Sequence, residues 1–172
     1  MRLSLLLAAA ALCLGAAPAK PPPAKPVATP VAPTDPQNPQ TLIALLATLG
    51  AKASVSERAE DTVQFKVETP HYGFGGHFAG CDRQGRKCKA VAFTTQVATT
   101  PTLAELNGFN QTSLTCRAWQ DKAGKPHVMY AALLSPTDNE AVLKTHLGAW
   151  QGCLAEFGDF LKDPKAYLAS AP

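Results

Sequence analysis

The chain has 172 residues, 46% of them hydrophobic, which is enough for one ordinary domain with its own core plus flanking segments. Sixteen Lys and Arg against thirteen Asp and Glu leave a net charge of +3, with Arg2, Lys20 and Lys25 against Asp35 supplying two of those charges. So small a surplus excludes a global basic field for nucleic acid or anionic membrane.

Residues 1–19 read as a signal peptide. Arg2 supplies the positive start, Leu3 to Leu14 the apolar run, and Ala17-Pro18-Ala19 the small residues of a cleavage site. The apolar run is about 12 residues, short of the roughly 20 needed to span a hydrocarbon core. Cys13 raises the alternative of a lipid anchor, but Leu12 before it is not the small residue such processing prefers. Residues 20–40 are rich in Pro, Ala, Val and Thr and read as an extended linker, because proline lacks the donor that helix and sheet require. A recognition role for this stretch is the alternative, though no specific ligand motif is present.

The domain is expected over 41–163, followed by a C-terminal tail at 164–172. Leu42, Ile43, Leu45, Leu46 and Leu49 have helical spacing, and Gly50 ends that run. Val55 marks a first short strand. Val63, Phe65 and Val67 alternate with polar residues in a half-buried strand that stops at Pro70. Tyr72 to Cys81 reads as a glycine-rich aromatic strand, and Cys88 to Val97 as its partner across the polar loop Asp82 to Lys87. A short helix follows Pro101, with Leu103, Leu106, Phe109 and Asn110 on one face. Leu114, Cys116 and Ala118 then alternate in a strand, and Val128 to Leu134 forms its hairpin partner. Asp138 is the best N-cap for a long final helix. On that helix Leu143, Leu147, Trp150, Leu154, Phe157 and Leu161 form the apolar stripe. The order helix, meander, helix, hairpin, long helix predicts an α+β domain with helices against a largely antiparallel sheet.

Four cysteines remain beyond the leader: Cys81, Cys88, Cys116 and Cys153. An even number of thiols behind an export signal points to disulfides and an oxidising compartment, periplasmic or extracellular. Three pairings are possible; the strand and helix placements favour Cys81 with Cys88 across the hairpin and Cys116 with Cys153 between strand and helix. Zinc is the sharper alternative, since His71 and His77 precede Cys81 and Cys88, but the spacing does not match common zinc modules. Thiol redox chemistry would call for a C-x-x-C motif.

No nucleophile elbow, paired carboxylates or phosphate loop is present, so neither an enzyme nor a cofactor is expected. The remaining site candidates are Arg83, Arg86, Lys87 and Lys89. They concentrate positive charge at one hairpin tip and form either a solvated turn or a contact patch for an anionic partner. Trp150, Phe157 and Phe160 on the last helix suggest apolar surface in excess of what one sheet covers, a margin for a homodimer.

The run Phe78-Ala79-Gly80-Cys81, Cys88 before Val91-Ala92-Phe93, Leu106-Asn107-Gly108-Phe109-Asn110, Arg117-Ala118-Trp119 and Asp121 with Gly124, ahead of a long closing helix, resembles the YbjN family of bacterial proteins, often labelled sensory transduction regulators. The resemblance covers most of 41–161. It implies a fold similar to type III secretion chaperones, frequent dimerisation, regulation through protein or peptide partners, and no catalytic chemistry. Many relatives look cytosolic, so the leader and proline tether are a departure. Asn107 and Asn110, the most specific element of the match, read as structural amides that cap the short helix and bond backbone at the turn.

Overall fold

The computed structural model describes residues 34–70 and 72–170. The signal peptide with Cys13, linker residues 20–33, His71 and the last two residues lie outside them.

The first helix, α1, spans Pro39–Thr48 and begins inside the segment read as linker. Asn38 caps it, its Oδ1 accepting from the Gln40 N–H at 3.1 Å, and Pro39 takes the first helical position, where its missing donor costs nothing. Gln37 is buried, and its carbonyl accepts from the Cys88 N–H at 3.0 Å. The stop is as expected. Gly50 has φ +80°, its N–H reaches the Ala47 carbonyl, and that of Ala51 reaches Leu46, which satisfies the last turn.

Four strands follow as an antiparallel meander: β1 (Lys52–Arg58), β2 (Thr62–Glu68), β3 (Gly73–Ala79) and β4 (Ala90–Gln96). Helix α2 (Leu103–Thr112) leads into β5 (Cys116–Gln120) and β6 (Pro126–Leu133), and the chain closes with α3 (Glu140–Lys162) and α4 (Pro164–Ser170). The sheet has six strands in the order β1-β2-β3-β4-β6-β5, every pair antiparallel. The expected α+β architecture is therefore present, with β6 as the strand that joins the hairpin to the meander.

The register carries one line of side chains across the sheet: Val55, Phe65, Gly76, Phe93, Tyr130 and Cys116. This is the core face, where Leu42, Leu45 and Leu46 of α1, Phe109 of α2 and the apolar side of α3 are buried. Gly76 has no side chain for a physical reason. A β-carbon there would collide with the Ala92 carbonyl and the Phe65 ring. The opposite face alternates outward, with Leu133 and Ala131 exposed.

Several local expectations change. The stripe on α3 is Leu143, Leu147, Trp150, Cys153, Phe157 and Phe160, while Leu154 and Leu161 are only half-buried. With about 3.6 residues per turn the expected positions all stay on one face; the buried line instead turns toward Cys153, bonded to Cys116 of β5, and Phe160, which packs against Phe109 and Tyr167. Leu103 is 63% exposed and Leu114 is 93% exposed. Leu114 falls in the bend before β5, where Ser113 turns the chain by accepting the Cys116 N–H at 3.1 Å. Asn139, not Asp138, caps α3 through the Ala141 N–H; Asp138 instead accepts from the Ser135 N–H at 2.7 Å. The segment read as a tail is α4. Asp163 Oδ1 accepts from the Ala166 N–H, Pro164 opens the helix, and Tyr167 and Leu168 pack against the core.

Candidate binding surfaces

The four cysteines form two disulfides, Cys81–Cys88 and Cys116–Cys153, with α-carbon separations of 3.9 and 5.6 Å. The first closes the loop between β3 and β4, and the second ties the outermost strand β5 to α3. Two intramolecular disulfides fit an oxidising environment. They also take all four thiols out of any ligand set. Among the described residues no group of three or more His, Cys, Asp or Glu side chains is placed to hold a metal ion. Nor is any helix among them long and apolar enough to cross a membrane.

The loop held by Cys81–Cys88 is built around Asp82. Its Oδ1 accepts from the Gln84 and Arg86 N–H groups at 3.0 and 2.9 Å, and its backbone N–H donates to the Arg86 carbonyl at 2.7 Å. Gly85 at φ +68° permits the turn, and Lys87 adopts φ +53°, a left-handed backbone that few side chains other than glycine take readily. Arg83, Arg86, Lys87 and Lys89 all project from this tip and are exposed. A fifth cation joins them that sequence spacing does not reveal. The Arg58 guanidinium, at the end of β1, lies so close under Gly85 that a β-carbon there would meet it. Arg58 is remote in the chain and arrives only because β1, β2 and β3 pair in register.

A second surface lies at the other end of the meander, where no site was expected. Leu46, Leu49, Tyr72, Phe74, Leu147 and Trp150 line most of a cleft of about 120 Å³ between the end of α1, the start of β3 and the middle of α3. Leu49 is 64% exposed and Tyr72 45% exposed, and both form its rim. Inward from the rim the rings form a ladder. Tyr72 stacks on Phe74 at 6.2 Å, Phe74 meets Trp150 at 5.8 Å, and Trp150 stacks on Phe93 at 6.2 Å. Trp150 is 1% exposed, and its indole Nε1 is buried with no hydrogen-bond acceptor among the described residues. Buried indole N–H groups ordinarily have a partner, and leaving one unpaired costs about 1–3 kcal/mol. A shallower hollow adjoins the cleft and shares Tyr72 and Gln151 with it.

The aromatic surplus expected on α3 is not exposed. Trp150, Phe157 and Phe160 are all buried, because Phe109 of α2 and Tyr167 of α4 cover the distal end, with ring centroids 5.0 Å (Phe109 to Phe160) and 5.6 Å (Phe160 to Tyr167) apart. Those three rings therefore do not supply the exposed margin expected of them.

Three histidines, His77, His127 and His146, fall among the described residues. His77 is half-buried on the open side of β3. His127 stacks on Trp119 at 5.1 Å and lies 3.2 Å from Asp121 Oδ2. The Lys125 N–H bonded to Asp121 is the main influence holding that carboxyl below its ordinary value. His146 Nδ1 meets the Tyr130 hydroxyl at 2.9 Å, while its Nε2 is buried without a partner among the described residues. Burial depresses the His146 pKa, opposed in part by the Asp138 charge, and burial raises that of Tyr130.

Comparison of the chain with protein-family models, with curated proteins and with solved structures found no match.

Proposed function

We propose that the chain is an exported, non-enzymatic binding module, working in the periplasm or outside the cell, that engages a protein or peptide partner through the cleft between α1, β3 and α3. The observation that carries this reading is the exposed apolar rim of Leu49 and Tyr72 over a ladder of buried rings. Exposed apolar groups beside a small pocket are what anchor residues of a partner fill. The two disulfides support it, since they brace the sheet and α3 and so present the cleft on a rigid frame. A regulatory role of the YbjN type, on a chaperone-like scaffold, accords with such a surface.

A second reading is favoured by the basic tip. A rigid loop carrying Arg83, Arg86, Lys87 and Lys89, with Arg58 of β1 beside it, offers an array of donors to an anionic partner in the envelope, as a structural or stress protein would need. Capture from envelope extract separates the two. The immobilised domain is compared with Leu49→Glu/Tyr72→Glu and with a variant in which Arg83, Arg86, Lys87 and Lys89 are all Gln. Loss of the captured protein in the cleft variant alone is expected. Loss in the tip variant alone supports the second reading, and capture unaffected by either variant contradicts both.

A further inference from the structure

We propose that the outward face of α3 is a self-association surface, on which a second copy of this chain packs its own α3 in antiparallel orientation about a two-fold axis near Gln151. This goes beyond the cleft reading and does not depend on it, since the face lies on the side of α3 turned away from the sheet. Two observations carry it.

The first is a smooth line with no cause inside the fold. Ala141, Thr145, Gly148, Gly152, Ala155 and Asp159 recur at spacings of four and three and are all exposed. Glycine in a helix interior costs stability relative to alanine. Gly108 on α2 has its reason within the chain, because a β-carbon there would meet Leu168 at 2.8 Å. At Gly148 and Gly152 a β-carbon would meet nothing within 4 Å. Close approach of a second backbone accounts for both.

The second is the order of charge along the same side of the helix. Glu140 pairs with Lys144 at 2.9 Å where α3 begins, and Asp159 pairs with Lys162 at 2.7 Å where it ends. The helix therefore reads acid, base, smooth centre, acid, base. A parallel copy would put each charge opposite its like. An antiparallel copy puts Glu140 opposite the partner's Lys162 and Lys144 opposite the partner's Asp159. Both matches share one dyad, and the two-fold repeats each of them. With that dyad near Gln151, Gly148 faces the partner's Ala155, so an open gap receives a methyl group. Exposed ion pairs contribute little each; here they set orientation and register, while the close helix contact supplies area. The two-fold also brings the same flank of both helices to one side. That flank carries Leu147 and Gln151 of the cleft, so the exposed Leu49 and Tyr72 of both copies gather at the margin of the interface.

Sedimentation equilibrium of the full chain tests this, with urea unfolding of every variant as the control for folding. The chain is expected to dimerise reversibly at micromolar concentration. Gly148→Leu should match or exceed the wild-type urea midpoint, since its side chain enters open space, yet should sediment as a monomer. Lys144→Glu and Asp159→Lys should each weaken the dimer about tenfold, because each homodimer then holds two like-charge contacts. An equimolar mixture of those two variants should regain wild-type association, since every heterodimer recovers both opposite-charge contacts. A chain that stays monomeric up to about 100 µM, a Gly148→Leu variant that still dimerises, or a mixture no tighter than its components would each overturn the proposal. If Gly148→Leu fails the folding control, the mixture decides alone. None of these variants alters Leu49 or Tyr72, so capture through the cleft is read separately.

Discussion

Asn110 on α2 holds both backbone polar groups of Ala118 on β5. Its Nδ2 donates to the Ala118 carbonyl and its Oδ1 accepts the Ala118 N–H, each at 2.8 Å. Because β5 is an outer strand, these groups would otherwise be an open template for another chain. The amide stands in for a missing seventh strand. Asn110→Ala should leave a donor and an acceptor unpaired at a residue 4% exposed, costing about 1–3 kcal/mol. Urea unfolding checks this. Increased self-association of the variant would show that edge protection matters as well.

His146 makes stability depend on pH. Its folded pKa is depressed by burial, so the unfolded chain binds the proton more readily. Stability contributed by the neutral imidazole is present above the ordinary histidine value of about 6.5 and is lost as pH falls from there toward the lower folded value. His146→Gln should flatten that part of the curve, measured as urea midpoint against pH. An unchanged slope would contradict this role of His146.

The two disulfides should differ in weight. With sequence separations of 37 and 7, the loop-entropy relation gives about 4 kcal/mol for Cys116–Cys153 and about 2.5 kcal/mol for Cys81–Cys88. Paired Cys→Ala variants, compared by thermal melting under oxidising conditions, should rank in that order. The reverse order would indicate that the hairpin loop organises far more of the fold than its own residues.

Gly76→Ala should be among the most damaging single changes in the sheet. The added carbon would meet the Ala92 backbone, which cannot retreat without breaking β3–β4 pairing, and a loss of about 3 kcal/mol is expected. Gly148→Ala on α3, where a β-carbon meets nothing within 4 Å, should instead stabilise by about 1 kcal/mol. Denaturant midpoints of the pair give the comparison.

Strands were the most legible part of the chain, because Val63, Phe65 and Val67 alternate with Gln64, Lys66 and Glu68 and only one face of this sheet is covered. The two ends of the domain were not legible, and for a shared reason. Both α1 and α4 open with an acidic or amide cap followed by proline, Asn38-Pro39 and Asp163-Pro164. Proline there is a helix starter, whereas its density in 20–40 reads as a breaker. The cleft was hidden more deeply. Leu49, Tyr72 and Trp150 are spread over about 100 positions of sequence and meet only through tertiary packing. What distinguishes Trp150 from any other stripe residue is an unpaired nitrogen, and periodicity carries no record of that.

The central claim is that the cleft, not the basic tip, is the working surface. Replacing Tyr72 and, separately, Arg86 with a photo-crosslinking phenylalanine derivative in the producing cell tests it most directly, since both positions are exposed. Light-dependent adducts of one discrete mass from position 72, lost when Leu49→Glu is added, are the predicted result. Adducts from position 86 alone, or none from position 72, would contradict the account.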